Sequence, residues 1–216
     1  MPNKEGEIVV LLKKDFICML IGASNALDEK INEFTEIDSK FGDGDHGVTM
    51  GRISKVIRTK AESSADDETV SEMLLSLSKD VMNVNGGSAG PLYGTIFEGF
   101  SEGLEEVGDA DEKAIKSMFT GALENIRFIT NAKVGDKTLM DTLIPACEKA
   151  ESSNSPLPKL LEDIADAAYQ GAEYSKQCQA KFGRAKFYKE ETIGTMDVGA
   201  YSLYCLIRGF SNSINK

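Results

Sequence analysis

Val70-Ser71-Glu72-Met73-Leu74-Leu75-Ser76-Leu77-Ser78-Lys79-Asp80-Val81 decides the fold class, because its apolar residues Val70, Met73, Leu74, Leu77 and Val81 recur at helical spacing. The period extends outward in both directions. Upstream it runs through Leu27, Ile31, Phe34 and Ile37, then Ile53, Val56 and Ile57. Downstream it passes through Leu92, Ile96 and Phe100; Met118, Ala122, Leu123, Ile126 and Ile129; Leu139, Leu143 and Cys147; Leu160, Ile164 and Ala168; and Leu203, Ile207 and Phe210. No convincing run alternates with period two. About eight amphipathic helices, separated by polar stretches at Ser63–Glu68, Glu102–Asp111 and Ser152–Pro158, predict an all-α, up-and-down antiparallel bundle. Those linkers are short and evenly spaced, so residues 1–216 read as one domain without internal repeats.

The 216 residues are 41% hydrophobic, enough for a substantial core. Thirty-five acidic against 24 basic residues leave a formal net charge of -11, and no basic stripe opposes that field, which argues against nucleic-acid binding. The longest apolar stretch, Phe16–Ala23, is far shorter than the roughly 20 residues a membrane helix needs. The opening Met1-Pro2-Asn3-Lys4-Glu5 does not read as a signal peptide, so a cytoplasmic location is expected. Cys18, Cys147, Cys178 and Cys205 are scattered without a Cys-x-x-Cys pair, which suggests small buried hydrophobes over zinc ligands or disulfides. With His46 the single histidine, any Ser-His-Asp or Cys-His set would have to use it.

Chemistry concentrates in the glycine-rich joints. In an up-and-down bundle every second joint lies at the same end, so several of them can build one site. The strongest signal is Asp38-Ser39-Lys40-Phe41-Gly42-Asp43-Gly44-Asp45-His46-Gly47. Read as an extended stretch, residues two apart point the same way, which pairs Asp43 with Asp45, while the glycines permit a path back to Asp38. Three close carboxylates repel unless a cation lies among them, and hard oxygen ligands suit magnesium better than zinc. Gly42-x-Gly44-x-x-Gly47 matches the dinucleotide fingerprint, but a helical pattern precedes it where that motif needs a strand. An EF-hand requires a ligand at 47 and glycine at 48, where Gly47 and Val48 stand. The bland alternative is an Asp-Gly turn with solvated carboxylates.

Asn85-Gly86-Gly87-Ser88-Ala89-Gly90-Pro91-Leu92-Tyr93-Gly94 brings glycines before a helix start, where N–H groups and the helix dipole favour phosphate. It lacks a P-loop's Gly-Lys-Ser/Thr, and close helix packing explains it as well. Gly135-Asp136-Lys137-Thr138 places a capping residue and a cation at a helix entrance. Arg184, following a long helix, offers a guanidinium fork for phosphate. Asp197 reads either as a helix cap or as a ligand contact.

Taken in order, these joints resemble the nucleotide-binding, or L, subunit family of bacterial dihydroxyacetone kinases, from about Asp38 to Ala200. The shared motifs stand here as Gly42-Asp43-Gly44-Asp45-His46-Gly47, Gly86-Gly87-Ser88-Ala89-Gly90-Pro91-Leu92-Tyr93-Gly94, Gly135-Asp136-Lys137-Thr138 and Asp197-Val198-Gly199-Ala200. The resemblance implies an eight-helix barrel with ADP or ATP at one end. It implies two Mg2+ ions on Asp38, Asp43 and Asp45. It also implies nucleotide contacts from His46, Gly47, Val48, Thr49, Ser88, Ala89, Thr130, Leu139, Arg184, Asp197, Val198 and Gly199. Thr49 is similar to the ATP-dependent branch and His46 to the phosphoprotein-dependent one, while Val198 replaces the usual proline, so the phosphoryl source is open.

The implied activity is phosphotransfer to an alcohol group of dihydroxyacetone. Asp38, Asp43, Asp45 and Arg184 would carry the catalytic charge. The family's ketose sits on a histidine of a separate K subunit, which this chain lacks, and a phosphohistidine-bearing M protein can recharge resident ADP. Rival readings are a nucleotide-sensing regulator without turnover, a kinase of another short ketose such as erythrulose, the related domain of fatty-acid kinases, and an acidic helical scaffold. Oligomeric state is open, a homodimer included.

Overall fold

The computed structural model describes residues 10–105 and 110–214. The opening pentapeptide and part of the Glu102–Asp111 linker lie outside these residues. Among those described, the elements are α1 (Lys13–Asp28), α2 (Ile31–Asp38), α3 (His46–Ser63), α4 (Val70–Met82), α5 (Ala89–Glu102), α6 (Glu112–Ile129), α7 (Met140–Ser152), α8 (Leu157–Tyr174) and α9 (Val198–Ile214). Short 3-10 segments at Ser175–Gln177 and Ala185–Thr192 lie between α8 and α9. No strand is present among the described residues, only an isolated antiparallel bridge between Leu11 and Ala110. None of the helices is long and apolar enough to cross a membrane.

Helix α4 shows how local signals become structure. Thr69 Oγ1 accepts from Glu72 N–H at 3.2 Å while Glu72 Oε2 accepts from Thr69 N–H at 2.8 Å, a reciprocal cap that starts the helix. Its stripe Met73, Leu74, Leu77 and Val81 is buried. Packing runs α1–α3–α4–α5–α6–α7–α8–α9 and returns to α1, which closes an eight-helix ring. Phe100 fills its interior, meeting Phe119 of α6 at 5.4 Å and Phe210 of α9 at 6.2 Å between ring centroids. The barrel is therefore a packed core. It is drawn tight where a Cβ on Gly209 would fall 2.5 Å from the Ala23 Cα, so that α1 and α9 touch backbone to backbone.

The ninth helix corrects the count. Leu27 and the Ile31, Phe34, Ile37 set share one period in sequence, but the chain breaks at Glu29–Lys30 and the second set forms α2, which packs on α3 and α9 outside the ring. Periodicity cannot register a break that keeps both faces apolar. Cys147, Cys178 and Cys205 are buried as expected, whereas Cys18 is exposed on the outward face of α1.

Antiparallel order gathers the joints α2–α3, α4–α5, α6–α7 and α8–α9 at one end. These are the glycine-rich joints singled out in the sequence, and side chains bridge them there.

Candidate functional site at the barrel mouth

Asp38 ends α2 and Asp45 immediately precedes α3. Between them the chain reverses sharply, with Gly42 N–H donating to the Asp38 carbonyl at 2.6 Å. A Cβ on Gly42 would lie 2.1 Å from Asp38 Oδ1, so only glycine leaves room for that carboxylate. Asp43 and Asp45 converge by a route other than extended alternation. Gly44 is left-handed, with φ +74°, and Asp45 has φ -93° and ψ -8°, so a turn aims both acids together. One oxygen each of Asp38, Asp43 and Asp45 lies within 4.8 Å of the others. Arg184 Nη1 pairs with Asp43 Oδ2. Asp38 Oδ2 accepts from the His46 backbone N–H at 3.3 Å, which ties the cluster to the start of α3.

The adjoining α4–α5 joint rests on α3. Arg52 Nη1 donates to the Asn85 carbonyl at 2.8 Å, and a Cβ on Gly86 would sit 2.0 Å from Thr49 Oγ1. Among the described residues Thr49 Oγ1 is buried without a hydrogen-bond partner. A buried hydroxyl left unsatisfied is costly, so this atom suits a ligand that supplies a polar partner. Ser88 is the exposed N-cap residue of α5, makes no side-chain cap, and precedes the buried Ala89. The first N–H groups of α3 thus lie beside the carboxylates, and the loop that leads into α5 rests on α3.

A second group faces the first across the mouth. Asp197 Oδ2 accepts from Ala200 N–H at 2.7 Å and caps α9, so the helix-cap reading holds for this residue. A Cβ on Gly199 would lie 3.6 Å from the Leu139 Cβ, placing Leu139 against 197–199. Within Gly135–Thr138, Thr138 Oγ1 accepts from Met140 N–H at 3.2 Å at the start of α7, and Asp141 Oδ1 and Oδ2 accept from Gly135 N–H at 2.6 Å and Thr138 N–H at 2.7 Å. Lys137 is 5% exposed, and its Nζ donates to the Ser175 carbonyl at 2.7 Å and to the Thr195 carbonyl. From the entrance of α7 the cation therefore reaches inside the protein and clips that loop to the α8–α9 joint.

Arg184 follows α8 only after the irregular stretch 175–183, and with Phe41, Gly42, Phe187 and Tyr188 it lines a cavity of about 320 Å3 beside the acids. Val48 is 50% exposed, so its side chain faces solvent. Thr130 ends α6, and its Oγ1 accepts from Ala132 N–H at 3.2 Å; among the described residues no contact joins it to the acidic cluster.

Two residues that the sequence did not single out link the groups. His46 Nε2 lies 2.9 Å from Ser202 Oγ, and Tyr93 O–H donates to the same oxygen at 2.8 Å. The Ser202 hydroxyl also donates to the Gly199 carbonyl at 3.2 Å. Burial pushes the His46 imidazole down to about 4 despite the nearby Asp38 carboxylate, so the ring is neutral at pH 7. Tyr93 carries a signal in its glycine-rich motif, whereas Ser202 looks like any polar residue of α9.

Burial also pushes the Asp197 carboxyl up from 3.8 to about 7; Asp141 adds repulsion, and Lys137 and the Ala200 N–H oppose the rise. A carboxyl raised by folding favours the protonated form. Its contribution to stability is fully present below about pH 4 and is lost as pH rises through about 7. Asp197→Asn keeps an oxygen for the cap. We expect its stability relative to the unsubstituted protein to climb between about pH 4 and 7, by on the order of a few kcal/mol, then level off. Urea unfolding across pH checks this.

Fold and site together define an all-α barrel whose mouth combines a divalent-type carboxylate cluster with helix N-termini. The DAK2 domain family model matches residues 40–212. The chain belongs to the DAK2-domain family. It is 30% identical over 178 residues to the PEP-dependent dihydroxyacetone kinase ADP-binding subunit DhaL of Escherichia coli, covering 81% of this chain and 84% of that protein. To the corresponding subunit 1 of Listeria innocua it is 28% identical over 182 residues, 82% of this chain and 87% of the other. The L-erythrulose kinase of Pectobacterium atrosepticum is 30% identical over 190 residues, 86% of this chain but 32% of that protein. A crystal structure of the dihydroxyacetone kinase from C. freundii in complex with AMP-PNP and Mg2+ superposes with TM-score 0.70 at 22% identity. That superposition covers 99% of this chain and 36% of the other, and it establishes the common fold. The chain thus spans most of the DhaL subunits and about a third of the longer kinases.

Proposed function

We propose that this chain is the nucleotide-binding subunit of a dihydroxyacetone kinase, passing a phosphoryl group from ADP- or ATP-type nucleotide to a hydroxyl of a small ketose. The observation that carries the reading is the convergence of Asp38, Asp43 and Asp45 beside the unpartnered Thr49 hydroxyl and two helix N-termini. The three carboxylates fit a pair of magnesium ions, which when bound would neutralise the phosphate oxygens and favour in-line transfer. Thr49 Oγ1 and the backbone N–H groups of Gly47 and Val48 and of Ser88–Ala89, with His46 beside them, would then bind and orient the phosphate tail. Arg184, already at Asp43, would bring its guanidinium to the transferring group. Leu139 with 197–199, and Thr130, would complete the nucleotide contacts.

The ketose must come from elsewhere. His46, the single histidine, has its Nε2 engaged by Ser202, which removes it as a covalent ketose ligand. We therefore assign substrate binding to a partner K subunit in the cytoplasm. The relatives matched over most of their length are PEP-dependent ADP-binding subunits, and this favours a resident ADP recharged by a phosphohistidine protein over exchange with free ATP. The L-erythrulose kinase relative supports a second reading in which the same transfer serves another short ketose.

The test is thermal unfolding with ADP, with and without Mg2+. A ligand at 100 times its Kd stabilises the folded state by about 2.7 kcal/mol, so a rise in Tm of several degrees is expected only with both present. Absence of any Mg2+-dependent shift defeats the kinase reading. Binding without turnover, when a K subunit, ketose and phosphoryl source are supplied, assigns a regulatory role instead.

A further inference from the structure

We infer that Arg52 is a positioning residue: it tethers the α4–α5 joint to α3, so that the N–H groups of Ser88 and Ala89 are held in place before a nucleotide arrives. Their use by phosphate rests on the proposed function; the tether itself does not.

The joint has little of its own to hold it. Gly86 and Gly87 take φ +148° and +57°, conformations that L side chains rarely adopt, and a Cβ on Gly87 would meet nothing within 4 Å. Glycine has more backbone freedom to lose than any other residue, so two in succession make a loop that does not fix its own path. Ser88 adds no side-chain cap to the start of α5. Among the described residues, the hydrogen bond that reaches Asn85–Gly87 is the one from Arg52 Nη1 to the Asn85 carbonyl, at 2.8 Å.

The contact next to it lies on the same helix. Gly86 is seated against Thr49, where a Cβ would fall 2.0 Å from Oγ1. Thr49 and Arg52 are three residues apart on α3 and therefore share a face. That face holds two consecutive residues of the joint, Asn85 by a hydrogen bond and Gly86 by close approach. The first N–H of α3, on His46, donates to Asp38. Through one helix, Arg52 thus sets the glycine-rich joint relative to the acids. A guanidinium is always charged and donates strongly, so the tether holds at any pH at which the protein is folded. A loop already held in its bound shape spares the ligand the cost of ordering it.

Amide 15N relaxation of the free protein tests the tether without nucleotide. Order parameters at Gly86 and Gly87 should be those of rigid backbone, about 0.85, in the unsubstituted protein and fall below about 0.6 in Arg52→Met. Arg52→Lys, which keeps a donor on a long stem, should restore them. Low values in the unsubstituted protein, unchanged values in Arg52→Met, or a fall spread along the whole chain overturn the tether. In parallel, Mg2+-ADP calorimetry should show Arg52→Met weakened about tenfold, the order expected for one hydrogen bond from a charged donor. Arg52→Lys should bind close to normally. So should Lys55→Met, which takes a positive charge from an exposed position one turn further along α3. Equal affinity in Arg52→Met and the unsubstituted protein refutes the positioning role, and an equal loss in Lys55→Met refutes it by assigning the effect to net charge. If the unsubstituted protein itself binds no Mg2+-ADP, the function proposal fails while the order parameters still decide the tether.

Discussion

Asp43→Asn is expected to abolish the magnesium dependence of nucleotide binding while leaving the fold intact or slightly firmer. Three carboxylate oxygens within 4.8 Å repel one another, and among the described residues the ion pair on this cluster is that from Arg184 to Asp43. Substitution removes one charge from the cluster and also that pair. Both groups are exposed, and a surface pair of this kind contributes about 0–1 kcal/mol, so its loss is offset by relief of repulsion. Binding behaves differently. Changing a residue one step removed from a metal costs 10–100-fold in affinity, so losing a direct ligand should cost roughly a hundredfold or more. Calorimetric titration of ADP at several magnesium concentrations reads the effect. The affinity of the unsubstituted protein should rise with magnesium and that of Asp43→Asn should stay flat; parallel slopes would place the ion elsewhere.

Lys137→Met should be the most destabilising single change at the mouth. The ammonium is 5% exposed and donates to two backbone carbonyls, on Ser175 and Thr195, that belong to the joint between α8 and α9. It also faces the carboxylates of Asp141 and Asp197. Burial pulls the Lys137 ammonium below its ordinary range, and those carboxylates work against the fall. Methionine matches the stem but takes the ammonium from the Thr195 carbonyl, leaves the Ser175 carbonyl with the Cys178 N–H, and removes the positive charge that holds the Asp197 carboxyl down. A hydrogen bond from a charged donor contributes about 1.5–3 kcal/mol, and losing two removes a large part of the stability of an ordinary domain. Urea unfolding of both proteins measures it. A midpoint unchanged from that of the unsubstituted protein would mean that the clip contributes little and that the loops are held by their backbone alone.

These effects differ in how far they could be read in advance. The acids Asp38, Asp43 and Asp45 lie within eight residues of one another, and the glycines that let them converge sit between them, so the cluster is a local property of the chain. Even there the route differed. Alternation along an extended strand was the simplest way to pair Asp43 with Asp45, but Gly44 takes a left-handed turn and achieves the same end with a tighter reversal. Lys137 belonged to a recognisable motif, yet its destination, the carbonyls of Ser175 and Thr195, lies 38 and 58 residues along the chain.

Helical class, the succession of elements and the gathering of glycine-rich joints at one end follow from the sequence alone, because amphipathic period and glycine punctuation are encoded within a few residues and alternate joints must share an end. The separation of α2 from α1, the burial of Lys137 and the chain from Tyr93 through Ser202 to His46 were decided only in three dimensions. His46 and Ser202 are 156 residues apart. Which hydroxyl of α9 meets that ring depends on how closed packing of the barrel rotates each helix about its axis, and no local window of residues contains that angle.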